Sequence, residues 1–307
     1  MEKVIVVIGP TSVGKTKMGV ALAKKFNGEV ISGDSMQIYK QMDIGTAKVT
    51  EEEKEGIIHH CVDILNPDET YSVHDFQQTV RKKITEITQR GHVPIIVGGT
   101  GLYIKATLYD YQFDEMENDH HAINEKYKDY TNEQLHDHLK SIDEESAKIL
   151  HFNNRRRVLR AIEIYETTGK RKSEMLEEQE HICLYDAYFV GLTLPRDVLY
   201  ERINKRVDVM MENGLKEEME RLYSQGLTRN HQSMKAIGYK EWFDYYDHQI
   251  DLNDVLELIK KHSRQYAKRQ YTWFKNQFDV HWYDVNLENF EQTIEQVTDD
   301  IEKILKV

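Results

Sequence analysis

The sequence predicts an α/β fold: a parallel sheet with helices on both faces, plus an inserted helical domain. Three observations predict it. Short, continuous apolar runs recur at Val4-Ile5-Val6-Val7-Ile8, Val93-Pro94-Ile95-Ile96-Val97 and Tyr188-Phe189-Val190-Gly191-Leu192, as expected of strands buried on both faces. Helical patterns separate such runs, and this alternation implies a parallel sheet. Between residues 114 and 184 the strand-like runs disappear while the charge swings from acidic to basic.

The elements follow in order. The first strand ends at Gly9-Pro10, and residues 14–26 carry Met18, Ala21, Leu22 and Phe26 at helical spacing. Val30-Ile31 is a second strand, ending in Ser32-Gly33-Asp34, and residues 61–65 are a third candidate. Residues 73–90 read as a helix stopped by Gly91, and residues 93–97 as a strand broken by Gly98-Gly99. Residues 110–148 hold twelve acidic and four basic residues, whereas residues 151–172 hold seven Lys or Arg against Glu163 and Glu166. Both stretches look helical. The predicted domains are therefore a core of residues 1–113 and 185–307 and an insert of residues 114–184. Residues 195–211 and 215–225 read as helices around Gly214, and residues 260–275 hold six Lys or Arg and no acid. Tyr266, Tyr271, Trp273 and Phe274 lie in that basic stretch, either as buried packing or as platforms for bases.

Composition narrows the class. Of 307 residues, 39% are hydrophobic and 31% charged, with 16 Gly and 4 Pro, which excludes collagen-like and wholly disordered chains. The net charge of −12 argues against nucleic-acid binding if taken as a total, but the basic stretches are segregated. Cys61 and Cys183 form no Cys-x-x-Cys pair, so neither a zinc site nor a disulfide framework is expected. The first apolar run is too short for a secretory or membrane segment, and a cytoplasmic protein without membrane association is expected.

Gly9-Pro10-Thr11-Ser12-Val13-Gly14-Lys15-Thr16 matches G-x-x-x-x-G-K-[ST] between a strand and a helix. Such a loop turns backbone N–H groups inward, Lys15 adds a full charge, and the Thr16 hydroxyl can ligate Mg²⁺. The core is thus expected to be P-loop NTPase-like. The motif reports a di- or triphosphate and not ATP as such. The acid that usually completes the Mg²⁺ site at the end of a second strand is missing, since residues 93–97 run into Gly98-Gly99-Thr100-Gly101. Asp34 stands at the carboxyl edge of the second strand, where ligand-contacting groups gather, and is a candidate base for a nucleophile. A turn-forming aspartate is the plainer alternative.

Further blocks carry a family resemblance. Asp34-Ser35-Met36-Gln37-Ile38-Tyr39, Met42-Asp43-Ile44-Gly45-Thr46-Ala47-Lys48 and Gly98-Gly99-Thr100-Gly101-Leu102-Tyr103 follow the phosphate loop in that order. Arg157-x-x-Arg160-Ala161-Ile162-Glu163, Arg206-x-x-x-Met210-x-x-x-Gly214, Ala236-Ile237-Gly238-Tyr239-Lys240 and Arg269-Gln270-x-Thr272-Trp273-Phe274 come after. The chain resembles the bacterial tRNA dimethylallyltransferases, also called tRNA isopentenyltransferases, over residues 3 to 275. The resemblance implies transfer of a dimethylallyl group from dimethylallyl diphosphate to N6 of the adenosine at tRNA position 37, with release of diphosphate.

By the same resemblance, Asp34 is the base, Thr100 places it, and Lys15 and Arg206 complete the catalytic set. Residues Gly9 to Thr16 hold the diphosphate, with Mg²⁺ on Thr16. Asp34, Ser35, Met36, Gln37 and Thr100 meet the tRNA, as do Arg156, Arg157, Arg160, Lys235, Gly238, Tyr239 and Lys240. The implied partners are the tRNA anticodon stem-loop and the prenyl diphosphate, and a monomer is expected. The family usually places a Pro-rich turn and an RNA-contacting Arg soon after Gly-Leu-Tyr, but residues 110–127 contain neither Pro nor Arg. A P-loop kinase acting on a small acceptor, with Asp34 as base, is the alternative reading.

Overall fold

Strand β1 (Lys3–Ile8) sorts the core into two layers. Val4, Val6 and Ile8 enter one apolar cluster, Ile5 and Val7 the other, and all five are fully buried. This period of two on a strand covered on both faces explains why its sequence is a continuous apolar run. Helix α1 (Lys15–Lys25) follows and sends Met18, Leu22 and Ala23 into the second cluster. After β2 (Gly28–Ser32), the short α2 (Glu51–Lys54) and β3 (His59–His60) comes α3 (Val73–Gln89). Helix α3 is started by a capping box of Ser72 and Asp75, worth about 1 kcal/mol. Strand β4 (Val93–Val97) leads into α4 (Gly101–Leu108), whose Ile104 and Leu108 join the first cluster. Helices α1 and α4 therefore cover opposite faces.

The structure, a computed structural model, describes residues 1–111, 120–177 and 181–305. Its contacts divide into two units, Met1–Tyr109 with Cys183–Val307, and Asp110–Ile182. The expected boundary at 113/114 lies outside the described residues. The second unit holds α5 (His120–Lys126), α6 (Asn132–Ile142), α7 (Glu144–Ile149), α8 (Arg155–Thr168) and α9 (Lys172–Glu177). It has its own apolar core, in which Leu135 and Leu139 of α6 meet Val158 and Ile162 of α8.

The first unit resumes with β5 (Asp186–Thr193), α10 (Arg196–Glu212), α11 (Leu215–Ser224), α12 (Trp242–Tyr246), α13 (Leu252–Gln277), β6 (His281–Asp284) and α14 (Phe290–Leu305). Its six strands are all parallel, in the order β3-β2-β4-β1-β5-β6. Register pairs Val7 with both Val97 and Val190, so β1, β4 and β5 end along one edge. The chain leaves β1 toward one face and β4 toward the other. This divergence opens a crevice at that edge, where α/β sheets place their ligands.

Two strands differ from the sequence reading. The third strand is His59–His60, and residues 61–65 are a turn in which Cys61 and Asp63 take φ of 61° and 56°. Strand β6 has no apolar run, because its four residues His281 to Asp284 form an edge with only Tyr283 buried. Among the described residues no helix is long and apolar enough to cross a membrane.

Candidate active site

The phosphate loop is shaped by its glycines. Gly9 leaves β1 at φ +144°, and a Cβ there would stand 2.5 Å from the Leu192 carbonyl oxygen of β5. Ser12 and Gly14 also lie in the left-handed region, at φ 66° and 108°, and bend the chain back to start α1 at Lys15. The helix's partial positive end is unopposed, since its first turn holds no acid. Lys15 Nζ folds back to donate to the carbonyls of Gly9 (3.1 Å) and Pro10 (2.8 Å). Val13 is buried in the core beneath the loop, so its side chain does not line the hollow.

Burial, and then the neighbouring Arg206, push the Lys15 ammonium down to about 7, while Asp34 works against them. A bound diphosphate reverses that balance by supplying negative charge. Above pH 7 the free lysine is mostly neutral and must gain a proton as the anion binds. Pyrophosphate binding at pH 8 is therefore expected to take up nearly one proton more than at pH 6. Calorimetry in buffers of differing ionisation enthalpy measures this, and Lys15→Met should remove the share contributed by the lysine, leaving only that of the anion itself.

Helix α10 supplies the opposite wall. Arg202, Lys205 and Arg206 share one helical face and line a cleft of about 550 Å³ with Lys15, Thr16 and Asp34. Arg202 Nε donates to the Ser12 carbonyl (3.0 Å), and Arg206 Nη1 to the hydroxyls of Thr11 (3.3 Å) and Ser12 (3.4 Å). Burial lowers the Arg206 pKa, and Glu53 and Asp34 oppose that shift. The i, i+3, i+4 spacing of the three cations was a sequence signal for Arg202 and Lys205, which motif matching overlooks.

Asp34 lies where this cleft meets a second chamber of about 340 Å³. Its Oδ1 accepts from the backbone N–H of Met36 (2.8 Å) and Gln37 (3.4 Å). Thr100 does not touch the carboxylate. Its Oγ1 accepts from Ser35 N–H (3.1 Å) and so fixes the turn next to Asp34. Gln37 is spent on structure, donating to the Ala47 carbonyl (3.2 Å) and accepting from the Ser32 hydroxyl (3.1 Å).

The corner without an acid is filled by α13. A Cβ on Gly98 would lie 2.3 Å from the Gly33 backbone, so no acid fits there. Gln270, 5% exposed, bridges the gap: its Oε1 accepts from Thr11 N–H (2.9 Å) and its Nε2 donates to the Gly99 carbonyl (3.0 Å). The Tyr266 hydroxyl donates to the same carbonyl at 3.3 Å. Burial and then Asp34 raise the Tyr266 pKa, keeping it protonated as a donor. Trp273 packs over Gly101, and Phe274 is fully buried, so these two aromatics serve packing.

The second chamber is walled by residues 45–47, 235–238 and 240 among others, with apolar Met36, Val207 and Met210. One buried carboxylate ties its walls together. Glu218 accepts from the N–H groups of Asp43 (2.9 Å), Ile44 (2.9 Å) and Gly45 (3.1 Å) and from the Tyr239 hydroxyl (2.6 Å). Gly45 is required because a Cβ would stand 2.5 Å from the Tyr239 ring. Lys48 anchors the same segment through the Tyr39 carbonyl (2.7 Å), Asp43 (2.6 Å) and Asp63 (2.5 Å).

One expected RNA contact, that of Tyr239, is corrected here. Tyr239 is fully buried and committed to Glu218, and Gly238 has its N–H on Glu241 (2.9 Å) and its carbonyl on Trp242 Nε1 (2.9 Å). Tyr239 braces the wall from behind and is not presented to RNA, whereas Gly238 lies on the lining of the second chamber. Lys235 and Lys240 are exposed.

In the second unit, Arg156 and Arg157 are exposed on α8. Arg160 is half-buried and paired with Glu163 at 2.8 Å, so part of its charge is compensated. Arg155 holds the Tyr127 and Tyr130 carbonyls and serves the fold.

Fold and site together define a phosphate-loop α/β protein whose anion cleft opens, at one carboxylate, onto a second chamber. The IPP transferase family matches residues 37–277, and the chain belongs to it. It is 55% identical over 287 residues to the tRNA dimethylallyltransferase of Bacillus cereus AH187, covering 92% of this chain and 90% of the relative. The crystal structure of tRNA delta(2)-isopentenylpyrophosphate transferase from Staphylococcus epidermidis is similar at 47% identity, 99% coverage of both chains and a TM-score of 0.74. A eukaryotic dimethylallyltransferase acting on tRNA matches at 33% identity with a TM-score of 0.87, covering 99% of this chain and 79% of that one.

Proposed function

We propose that the chain transfers the dimethylallyl group of dimethylallyl diphosphate to N6 of adenosine 37 in the tRNA anticodon stem-loop, releasing diphosphate. The observation that carries this reading is the meeting of two chambers at Asp34, one lined by the phosphate loop and cations, the other by mixed polar and apolar walls. All of the residues lining them belong to one unit of the chain, and we take a monomer to be the acting form.

The chemistry follows from the residues. An exocyclic amine is a weak nucleophile, so the leaving group must be stabilised strongly. The loop N–H groups, Lys15 and Arg206 hold the diphosphate and take up its charge as the allylic C–O bond breaks. Positive charge delocalises over the allyl group, the N6 lone pair forms the new C–N bond, and Asp34 accepts the N6 proton. The adenine must first leave its stack. Mg²⁺ fits this arrangement with Thr16 as its protein ligand. Thr16 lines the cleft, and hard oxygen donors from a diphosphate suit this ion. With Thr16 as protein ligand, diphosphate oxygens and water would supply the rest of the shell, as is usual for this ion. The ion would add charge stabilisation on the departing diphosphate.

Exposed Arg156 and Arg157 are assigned to tRNA phosphates, with Lys235 and Lys240 at the rim of the second chamber. Arg157→Ala is expected to weaken tRNA binding uniformly and to lower the slope of log K against log salt by about 0.7–0.9. Filter binding across a salt series checks it. The reaction itself is tested with Mg²⁺, unmodified tRNA and either dimethylallyl diphosphate or ATP, followed by digestion and mass spectrometry. One adenosine should gain a dimethylallyl unit with the prenyl donor alone. ATP consumption without that gain would return the kinase reading.

A further inference from the structure

We infer that Gln270 makes this phosphate loop select a diphosphate over a triphosphate, a step that rests on the reading of the donor as an allylic diphosphate. A loop of this kind binds phosphate through inward N–H groups, and each one committed elsewhere is lost to the ligand. Pro10 has no N–H, and that of Thr11 is held by Gln270 at 2.9 Å. The donors left free run from Ser12 to Thr16, into the start of α1. A diphosphate seated there is served in full. A third phosphate must extend toward the rim between Thr11 and Gly99, which the buried Gln270 amide spans.

The corner is closed sterically as well. The Cβ position of Gly99 lies 2.2 Å from Gln270 Nε2 and 3.9 Å from Lys15 Nζ, so the amide stands beside the loop's own cation. Tyr266 closes the same carbonyl from one turn away on α13. Triphosphate-hydrolysing loops commonly put an acid and an ion in this region. Here Gly98 packs too tightly on Gly33 to carry the acid, and a neutral amide occupies the gap.

Binding of inorganic pyrophosphate and tripolyphosphate to the full chain, by calorimetry with Mg²⁺, tests this directly. The wild type should bind tripolyphosphate at least about tenfold more weakly, as for one charge-assisted hydrogen bond withheld. Gln270→Ala should narrow that ratio about tenfold. Gln270→Asn, too short to span both backbone groups, should narrow it likewise and serves if the alanine variant melts early. A wild type that binds both anions equally, or folded variants that keep the wild-type ratio, would overturn the inference. Wild-type prenylation of tRNA is measured alongside. If selectivity is present but prenylation is absent, the donor reading fails and the selectivity stands.

Discussion

Asp34→Asn is expected to lower the turnover number by about 10²–10⁴-fold, the range for losing a positioned general base, with tRNA binding kept as in the wild type. Asn keeps an Oδ1 acceptor for the N–H groups of Met36 and Gln37, so the turn survives and only the basic oxygen is lost. Asp34→Ala loses the turn as well and should fall at least as far. Single-turnover rates with saturating donor separate chemistry from release. A variant Asp34→Asn that retained most of its rate would mean that another group, or water, takes the N6 proton.

Glu218→Ala is the largest expected loss of stability. Three backbone N–H groups and the Tyr239 hydroxyl lose their shared acceptor inside the protein. At roughly 1–3 kcal/mol for each unsatisfied group, partly relieved by water entry, the cost is on the order of 4 kcal/mol. Tyr239→Phe removes one donor and leaves the carboxylate three partners, so it should cost only about 1 kcal/mol. Urea denaturation measures both. Similar losses in the two variants would show that the ring packing on Gly45, and not the carboxylate, holds the segment.

Much of the first unit was legible because its central strands are buried on both faces and therefore read as unbroken apolar runs. The phosphate loop was legible for a different reason, since each residue type in it answers to a backbone or charge requirement. Strand β6 was not, because an edge of four residues needs no apolar run. The third strand was misplaced by the apolar flavour of residues 61–65, whereas Cys61 and Asp63 take left-handed conformations there and the Asp63 carboxylate is held by Lys48. Glu218 and Gln270 look like ordinary helical polar residues. Their meaning comes from partners 173 and 259 positions away, which no local pattern reveals. Tyr239 was legible as part of a distinctive block, but such a block does not say whether a residue touches a ligand or holds one that does.

The two ends of the second unit lie side by side. Asp110 N–H donates to the Ile182 carbonyl at 3.0 Å, Leu184 N–H to Leu108 at 2.8 Å, and Tyr109 bridges Cys183 in antiparallel fashion. This clasp bears on the order of assembly. Strand β1 is among the first parts of the chain to be synthesised, yet its longest pairing, Lys3 to Asp186 onward, is with β5. Contacts between residues so distant in sequence are slow to form, because the entropy of closing the loop must be met first. Once residues 110–182 have formed their own core, the clasp short-circuits that loop and delivers β5 next to the end of α4. The insert is thus placed to staple the sheet together during folding, and loosening the clasp is expected to slow the docking of β5 more than it weakens the finished fold.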